Sequence, residues 1–514
     1  MPSQDRHTPL SHDHQPLAVT DPDRLRRARE VLHQVGYTDD GVADALGTTA
    51  YLAIRTGDVP LLRRRLHHHS PIETLIRLFM LGLPMHGEAV ARALQPMRVE
   101  DWLAMGLLQR VDAASVGAPV ALFPFQGCVV AFDWARLRPD YVMGIAQSSI
   151  TLATLTLRTH SDLTLDLGTG CGIHAILAAR HSDRVLAVDR NPRAINMARF
   201  NAELNGLSHI DCRTGDLFAP VETETFDLIV SNPPFVLSPE SLYLFRDSGL
   251  PSDELCQRIV RQLPARLREG GYGQLLCNWA HIAGQDWRQR LAAWFEGAGC
   301  DVWIMRSQTW DPAAYAAYWI RDSGEETPAQ FAEHFDAWMA YYEQERIEAI
   351  SLGLITMRRA SGHANWLRMD DAPDRMLGPC GNAILQGFAL CDFLQAVATD
   401  EALLDTRLRL TPHVHWEQSY EPAAQGWQML AGHLALTQGL AYTGAIDPVG
   451  VRLAILCDGR RPLRDVLVDV AASLGIDVAP ITPACLGVVR KLIEQGFLLP
   501  AGMEEAAPGW DIPS

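Results

Sequence analysis

The chain has 514 residues, which is enough for about three domains at roughly 150 residues each. Hydrophobic residues make up 48% of it and charged residues 20%, as in folded globular proteins and unlike disordered or fibrous chains. The 44 basic and 61 acidic residues give a formal net charge of −17. This charge disfavours a dominant electrostatic grip of the whole chain on nucleic-acid phosphates, although it leaves room for a local basic patch.

The N-terminal sequence is polar, rich in histidine and aspartate, and lacks the apolar core of a secretion signal. The longest uncharged run, Ser115 to Phe132, is interrupted by two glycines, two prolines and Gln126, which argues against a membrane helix. The ten cysteines form no CxxC pair and show no zinc-ligand spacing. We therefore predict a cytoplasmic protein without a membrane segment and without a bound metal.

Residues 1–20 are predicted to be a disordered tail, and residues 21–135 an N-terminal helical domain. Ser70, Pro71 and Glu73 have the spacing of a helix start, with Ser70 as its N-cap. Further helices are predicted at Glu88–Leu94 and Val99–Leu108, and a β-hairpin in the uncharged stretch that ends at Phe132. Short helices followed by a hairpin are the order of a winged-helix domain. The alternative is a small packing domain that recognises no partner.

From about residue 160 strands alternate with helices, which is typical of a doubly wound parallel sheet. The predicted strands are Leu163–Leu167, Arg184–Asp189, Phe226–Ser231, Gly273–Cys277, Asp301–Met305 and Ile350–Arg358. The predicted helices are Ile173–Arg180, Pro192–Leu204, Glu254–Leu267 and Asp286–Glu296. We assign residues 136–372 to this α/β domain. Residues 311–347 form a helical, aromatic-rich insertion before its last strand, and residues 373–514 form a C-terminal helical or winged-helix-like domain.

A glycine-rich turn follows the first strand of this domain. The segment Asp166-Leu167-Gly168-Thr169-Gly170-Cys171-Gly172 ends a strand and opens a helix. Glycines at alternate positions leave the loop without side-chain bulk, so that a ligand can press against its backbone. The helix N-terminus that follows offers free N–H groups. Taken alone, this turn would suit a dinucleotide as well as another nucleoside.

Three later segments narrow the choice. Asp189 ends the next strand, where a carboxylate can accept hydrogen bonds from both hydroxyls of a ribose. Asp216 and Leu217 precede Phe218, an aromatic residue that we expect to cover an adenine edge. Asn232-Pro233-Pro234-Phe235 follows a further strand. Because ligands of open α/β sheets bind beyond the carboxyl ends of the strands, we expect all these segments to meet in one crevice.

The motifs DLGTGCG, VD, GDLF and NPPF, in this order, resemble those of class I S-adenosylmethionine (SAM)-dependent methyltransferases. More narrowly, they resemble the branch that carries an (N/D)PP(F/Y) motif. This branch includes release-factor glutamine N5-methyltransferases, rRNA guanine N2-methyltransferases, and adenine N6-methyltransferases of tRNA and DNA. The resemblance covers residues 140–305 and extends at most to 360. It implies a Rossmann-like, seven-stranded methyltransferase sheet with helical or winged-helix-like flanking domains.

The resemblance also implies roles for single residues. Those that would line the methionine part of the cofactor are Asp166, Gly168, Gly170 and Gly172. Asp189 would hold the ribose, and Asp216 and Leu217 would bound the adenine. Asn232 and Pro233 would receive the substrate amine, and Phe235 would stack on its planar group.

Further substrate contacts are predicted from position alone. Pro234 belongs to the same turn as the residues that receive the amine, and Asn278 and Trp279 end a strand that faces the same crevice. Some aromatic residues of 311–347 are candidates for a lid over the substrate. The chemistry needs no metal and no strong general base, because a sulfonium is already a good leaving group.

We therefore predict a SAM-dependent N-methyltransferase that acts on an amino or amide nitrogen of a planar group, in RNA or in protein. The NPPF form favours an RNA base, since NPPY is the commoner form in the glutamine enzymes. Residues 1–120 carry 13 basic and 14 acidic residues, so this region is a better contact surface for nucleic acid than the acidic remainder. The alternatives are a protein glutamine N5-methyltransferase, a small-molecule N-methyltransferase and a non-catalytic SAM-sensing protein.

Overall fold

The computed structural model describes residues 17–19, 21–53, 58–134, 140–239, 245–322, 327–423 and 426–504. Most of the tail predicted at 1–20 lies outside these ranges. Leu17, at its described end, is buried, and its carbonyl accepts a hydrogen bond from Asn196 Nδ2 at 3.0 Å. The chain divides into two compact units. Unit 1 comprises 1–151 and 160–369, and unit 2 comprises 152–159 and 370–514.

The N-terminal part of unit 1 is mostly helical. Its helices are α1 (Pro22–Gln34), α2 (Asp39–Leu46), α3 (Val59–Arg65), α4 (Pro71–Phe79), α5 (Gly87–Ala93) and α6 (Val99–Ala104). Its strands are β1 (Met85–His86), β2 (Gln109–Arg110), β3 (Ser115–Gly117), β4 (Ala121–Phe125) and β5 (Cys128–Phe132). Ser70 caps α4 as predicted, because its hydroxyl accepts from Glu73 N at 3.3 Å.

Two small sheets occur in this part, where the sequence indicated one hairpin. The first three strands form an antiparallel sheet in the order β1-β3-β2, and β4 and β5 form a separate hairpin. The hairpin predicted in the uncharged stretch that ends at Phe132 is therefore β4–β5. In a winged helix the hairpin comes directly after the helices, and the strands that come directly after α6 are β2 and β3. The winged-helix assignment and the three-domain division stay predictions.

A large sheet forms the centre of unit 1, in the order β13-β11-β12-β10-β9-β6-β7-β8. Its strands are β6 (Ser161–Leu167), β7 (Ser182–Asp189), β8 (Ile210–Thr214), β9 (Phe226–Ser231), β10 (Leu267–Ile282), β11 (Cys300–Trp310), β12 (Ile347–Arg359) and β13 (Leu367–Asp371). Four neighbouring pairs are parallel, namely β10–β9, β9–β6, β6–β7 and β7–β8. The predicted doubly wound Rossmann-like sheet is confirmed.

The sheet departs from the prediction at one edge. Strand β12 lies between β10 and β11 and is antiparallel to both, so the sheet is not wholly parallel. It also has an eighth strand, β13, where seven were expected. The periodicity of apolar residues indicates that a segment is a strand. Whether the strand pairs parallel or antiparallel depends on the path by which the chain returns to the sheet.

Helices flank the sheet. They are α8 (Ile173–Ala178), α9 (Pro192–Leu204), α10 (Glu254–Gln262) and α11 (Trp287–Ala292); α7 (Gln147–Leu155) precedes β6 and is divided between the two units. The predicted insertion is helical, with α12 (Pro312–Asp322) and α13 (Pro328–Gln344) before β12. Two buried clusters matter for the site. The sheet core includes Leu165, Ile229, Leu275, Trp279 and Ile355. The insertion core includes Val236, Leu237, Tyr315, Trp338 and Tyr342.

Unit 2 mixes helices and short strands. Its helices are α14 (Gly381–Ala396), α15 (Asp400–Leu404), α16 (Pro448–Leu456), α17 (Leu463–Leu474) and α18 (Val478–Glu494). Its strands are β14 (Met376–Leu377), β15 (Arg407–Leu410), β16 (Val414–Ala423), β17 (Gly426–Leu436), β18 (Gly439–Leu440), β19 (Thr443–Ala445), β20 (Asp458–Pro462) and β21 (Leu498–Pro500).

The region 373–514, for which a helical or winged-helix-like domain is predicted, also contains a run of strands from β15 to β19 that the sequence did not indicate. Strands β16 and β17 pair antiparallel over their whole length. Their outer parts are exposed on both faces, and Trp427 has 72% of its surface accessible. A hairpin without a buried face lacks the alternation by which strands are recognised in a sequence. Within the described residues no single helix is both long and apolar enough to cross a bilayer; α17 and α18 reach that length only together, with a bend of 119° between them.

Candidate functional site

The glycine turn between β6 and α8 adopts backbone conformations that favour glycine. Gly168, Gly170 and Gly172 have φ angles of 77°, 55° and 87°. A Cβ atom at Gly168 or Gly170 would meet nothing within 4 Å, whereas one at Gly172 would lie 3.1 Å from Ala198 in α9. The first two glycines therefore leave space for a ligand. The third allows a close approach of two helices.

A cleft of about 1000 Å³, including space open to solvent, lies beyond the carboxyl ends of β6, β7 and β9. The predicted site residues that line it are Gly168, Gly170, Asp189, Asp216, Leu217, Asn232, Pro233 and Pro234. The predicted residues that do not line it are Asp166, Gly172, Phe235, Asn278 and Trp279. The structure thus brings together the four motifs in one crevice, as expected for strand ends of a parallel sheet.

Asp166 lies at the base of the glycine turn and is 1% exposed. Its Oδ2 accepts hydrogen bonds from Thr169 Oγ1 at 2.6 Å and from Ala175 N at 2.9 Å. Its Oδ1 has no partner among the described residues. Burial raises the pKa of this carboxyl group to about 7. Asp166 does not line the cleft itself, but a buried carboxylate directly beneath the turn attracts a cationic group that is held against the turn.

Asp189 ends β7 and joins two parts of the site. Its Oδ2 accepts from Gly170 N at 2.9 Å, and its Oδ1 accepts from Asn191 N at 2.8 Å. Burial raises the pKa of Asp189, and these two backbone N–H groups oppose the rise. Each carboxylate oxygen has two lone pairs. Both oxygens can therefore accept a further hydrogen bond from a ribose hydroxyl in the cleft.

Asp216 and Leu217 line the cleft after β8. Leu217 has a φ angle of 46°, a left-handed conformation that is rare for a branched side chain. Strained residues of this kind cluster at ligand sites. The expectation that Phe218 covers an adenine edge is wrong, because Phe218 is 2% exposed and packs in the sheet core. Leu217, and not the aromatic residue, faces the cleft.

The NPPF turn begins where β9 ends. Ser231 Oγ donates to the Leu167 carbonyl at 2.8 Å and so fixes the start of the turn against β6. Asn232 Nδ2 donates to Ser148 Oγ at 3.1 Å. Phe235 is partly buried and packs against both the sheet core and the insertion core, so its ring is not on the cleft wall. A stacking role for Phe235 stays a proposal.

Asn278 and Trp279 lie on β10, where successive side chains point to opposite faces. Asn278 is 2% exposed, and its Nδ2 donates to the Tyr315 hydroxyl at 2.6 Å. Trp279 is fully buried in the sheet core and stacks on Trp287 with ring centroids 6.0 Å apart. The structure therefore gives both residues packing partners inside the protein and places neither on the cleft wall.

Several cleft residues were missed by the sequence reasoning. Tyr141 and Phe245 line the cleft and meet edge to face, with ring centroids 5.2 Å apart. They are far apart in the chain and belong to no motif, so only the fold could reveal them. Arg190 and Asn191 also line it, and their position directly after Asp189 was a usable signal.

Three family models match the chain. The methyltransferase small domain matches residues 146–282. Two models described as domains of unknown function match residues 34–119 and 386–500.

The curated relatives are matched in the central part of the chain. A putative protein N5-glutamine methyltransferase of Methanocaldococcus jannaschii is 32% identical, over 27% of this chain and 74% of the relative. A release factor glutamine methyltransferase of Cereibacter sphaeroides is 37% identical, over 41% of this chain and 74% of the relative. A ribosomal protein uL3 glutamine methyltransferase of Bradyrhizobium diazoefficiens is 37% identical, over 22% of this chain and 40% of the relative. Several other relatives are spanned over less than half of their length.

Among solved structures, the chain resembles M. jannaschii TYW2 in complex with AdoMet, at 14% identity and a TM-score of 0.29, over 48% of this chain and 90% of that one. The family is indicated by the parallel pairing of neighbouring strands from β10 to β8, by the cleft at the carboxyl ends of β6, β7 and β9, and by the 32% and 37% identity to two relatives that are each spanned over 74% of their length. The chain belongs to the class I SAM-dependent methyltransferases that carry the small methyltransferase domain.

Proposed function

We propose that this protein transfers a methyl group from SAM to the side-chain amide nitrogen of a glutamine in a protein substrate. The observation that carries the proposal is the position of Asn232 and Pro233 on the wall of the cleft that also holds the glycine turn and Asp189. The names of the curated relatives, which denote protein glutamine methyltransferases, support this substrate class.

The residues of the cleft fit the cofactor. The open backbone of Gly168 and Gly170 would hold the methionine part, and Asp166, buried behind the cleft wall, would fix this turn through its hydrogen bonds to Thr169 and Ala175. Asp189 would hold the ribose, and Leu217 with Asp216 would bound the adenine. When bound, SAM supplies an electrophilic methyl carbon on a positively charged sulfur.

The NPPF turn offers hydrogen-bond acceptors that can increase the low nucleophilicity of an amide nitrogen. This nitrogen shares its lone pair with the adjacent carbonyl and is a poor nucleophile. The Asn232 side-chain carbonyl and the Pro233 backbone carbonyl can each accept one of its N–H groups. Both acceptors together favour a pyramidal nitrogen whose lone pair points at the methyl carbon. The new N–C bond would form as the S–C bond breaks with its electron pair left on the sulfur, and the nitrogen would lose one of its two protons to solvent. Placement of this kind can contribute on the order of 7–11 kcal/mol.

The RNA base that the NPPF form favoured has no support from the relatives, whose printed names denote protein substrates. The formal net charge of −17 points in the same direction, because RNA binding gains most of its affinity from cationic contacts to phosphates. In this proposal the flanking regions 21–135 and 373–514 select the protein substrate.

The test uses methyl-labelled SAM and lysate from cells that lack the protein. We expect label in a protease-sensitive, nuclease-resistant fraction, and a labelled glutamine residue by mass spectrometry of its peptide. Asn232→Ala should abolish transfer and leave SAM affinity unchanged within about twofold. Label that nuclease removes would replace the proposal by RNA or DNA methylation. The absence of label from all macromolecules, with SAM bound, would replace it by a small-molecule substrate or a SAM-sensing role.

A further inference from the structure

Leu237 follows the NPPF turn by two residues, and both of its backbone polar groups are bound by tyrosines of the insertion. Its N–H donates to the Tyr315 hydroxyl at 3.3 Å. Its carbonyl accepts from the Tyr342 hydroxyl at 2.9 Å. Tyr315 lies on α12 and Tyr342 on α13, so each helix of the insertion supplies one contact. A backbone N–H can only donate and a carbonyl can only accept, so the direction of both bonds is fixed.

The side chains that surround these bonds exclude water. Leu237 is 1% exposed and Val236 is 5% exposed, and both belong to the insertion core together with the rings of Tyr315 and Tyr342. Hydrogen bonds in such an environment are stronger than in water, and an unpaired partner is costly. The segment after NPPF and the insertion therefore share one buried core.

The tyrosine contacts are anchored to the central sheet. The Tyr315 hydroxyl also binds Asn278 Nδ2 at 2.6 Å. Asn278 lies on β10, three residues beyond Leu275, which pairs with Ser231 at the end of β9. The two ends of the NPPF turn are thus connected by contacts outside the turn. Ser231 pairs with β10, and Asn278 on β10 contacts Tyr315, which binds Leu237.

The returning part of the segment is also fixed. Arg246 and Asp247 form an ion pair at 2.7 Å and are 3% and 1% exposed. Asp247 Oδ1 accepts from Ser238 Oγ at 2.8 Å, and the Arg246 guanidinium lies 5.8 Å from the ring centroid of Trp338 in α13. These contacts tie the residues on both sides of 240–244 to the insertion.

We propose that Tyr315 and Tyr342 are positioning residues that hold the NPPF turn at the reacting distance from the methyl group. The inference rests on the proposed function and concerns how its catalytic turn is placed. Pro233 and Pro234 stiffen the turn, so a shift at Leu237 is transmitted to Asn232. Displacement of a reacting group by about 1 Å can lower a rate by about a hundredfold. The insertion is then a fixed support for the substrate segment and not a lid.

The test replaces each hydroxyl and keeps each ring, with Tyr315→Phe, Tyr342→Phe and the double variant. The matched control is Tyr318→Phe, because Tyr318 lies on the same helix and is 49% exposed. We expect kcat for transfer to the labelled protein fraction to fall about tenfold in each single variant and about a hundredfold in the double variant. The KM for both substrates and the SAM-binding stoichiometry should stay unchanged, and Tyr318→Phe should behave as the wild type.

Hydrogen exchange gives a readout that does not depend on activity. The peptide that contains residues 232–239 should exchange faster in Tyr315→Phe, since the Leu237 N–H loses its acceptor, and exchange in β6 and β7 should not change. Wild-type kcat in the double variant, or a loss of SAM-binding stoichiometry that accounts for the whole fall in rate, overturns the inference. A wild-type protein that labels no protein fraction contradicts the proposed function instead, and the exchange result then stands by itself.

Discussion

The Gly170 backbone N–H donates to the Asp189 carboxylate at 2.9 Å, so the glycine turn and the end of β7 are connected directly across the cleft floor. This single bond links the part of the site proposed for methionine to the part proposed for ribose. Asp189 therefore has a structural role in addition to the binding role proposed for it.

Replacement of Asp189 should weaken SAM binding by both routes. Hydrogen bonds to a charged group contribute about 1.5–3 kcal/mol. We therefore expect Asp189→Ala to raise the SAM dissociation constant about ten- to hundredfold, measured by isothermal titration calorimetry. Asp189→Asn, which retains one acceptor, should lie in between. Asp211→Ala, an exposed carboxylate on the neighbouring strand, is the control. An Asp189→Ala dissociation constant equal to the wild-type value would remove Asp189 from the site.

The pKa of Asp166, raised to about 7 by burial, predicts a pH dependence of SAM affinity. An ammonium group held in the cleft against the glycine turn favours, by its charge, the ionised carboxylate of Asp166 beneath the turn, so binding releases a proton from Asp166 and weakens as pH falls. Between about pH 8 and pH 6 the ionised fraction, and with it the affinity, should fall about tenfold. The amino group of the ligand titrates in the same range, so Asp166→Asn supplies the baseline. Equal slopes in the two proteins would show that Asp166 does not titrate on binding.

Gly168 and Gly270 allow backbone strain to be separated from ligand contact. Both have a φ angle of 77°, and a Cβ atom at either would meet nothing within 4 Å. Alanine in this conformation costs about 1–2 kcal/mol, so both substitutions should lower the melting temperature similarly. Only Gly168→Ala should also raise the SAM dissociation constant, because only Gly168 lines the cleft. Equal affinities in the two variants would argue that the ligand does not press against Gly168.

Asp247→Ala should destabilise unit 1 strongly, since it leaves the guanidinium of Arg246 buried without its carboxylate. Removal of one partner of a buried ion pair costs about 3–5 kcal/mol. The control is Asp405→Ala, which removes a partner of Arg464 in a pair whose side chains are 42% and 65% exposed and should cost about 0–1 kcal/mol. Calorimetric unfolding, which can resolve two units, is the measurement. Similar costs for both variants would mean that the Arg246–Asp247 pair is effectively solvated.

Element bounds were predictable where local signals are strong. Helix α9 and strand β9 have the bounds that the sequence indicated, since Asn191 and Pro192 define a helix start and FDLIVS is a short apolar run. The predicted bounds were wrong where the length of an element depends on its pairing with another strand. Strand β10 runs from Leu267 to Ile282, far beyond Gly273–Cys277, because it pairs with β12 from Tyr272 to Ile282 and with β9 at Leu267.

The sequence by itself determined the cofactor cleft. Gly168 and Asn232 each follow a strand and Asp189 ends one, and a parallel sheet brings the carboxyl ends of its strands to one edge, so their meeting follows from topology alone. Only the tertiary structure decided which aromatic and polar residues face that cleft. Phe218 and Trp279 are in the core, whereas Tyr141 and Phe245 line the cleft. The periodicity of apolar residues indicates on which face of a helix or strand a side chain lies. Which residues pack against that face depends on segments that are distant in the chain.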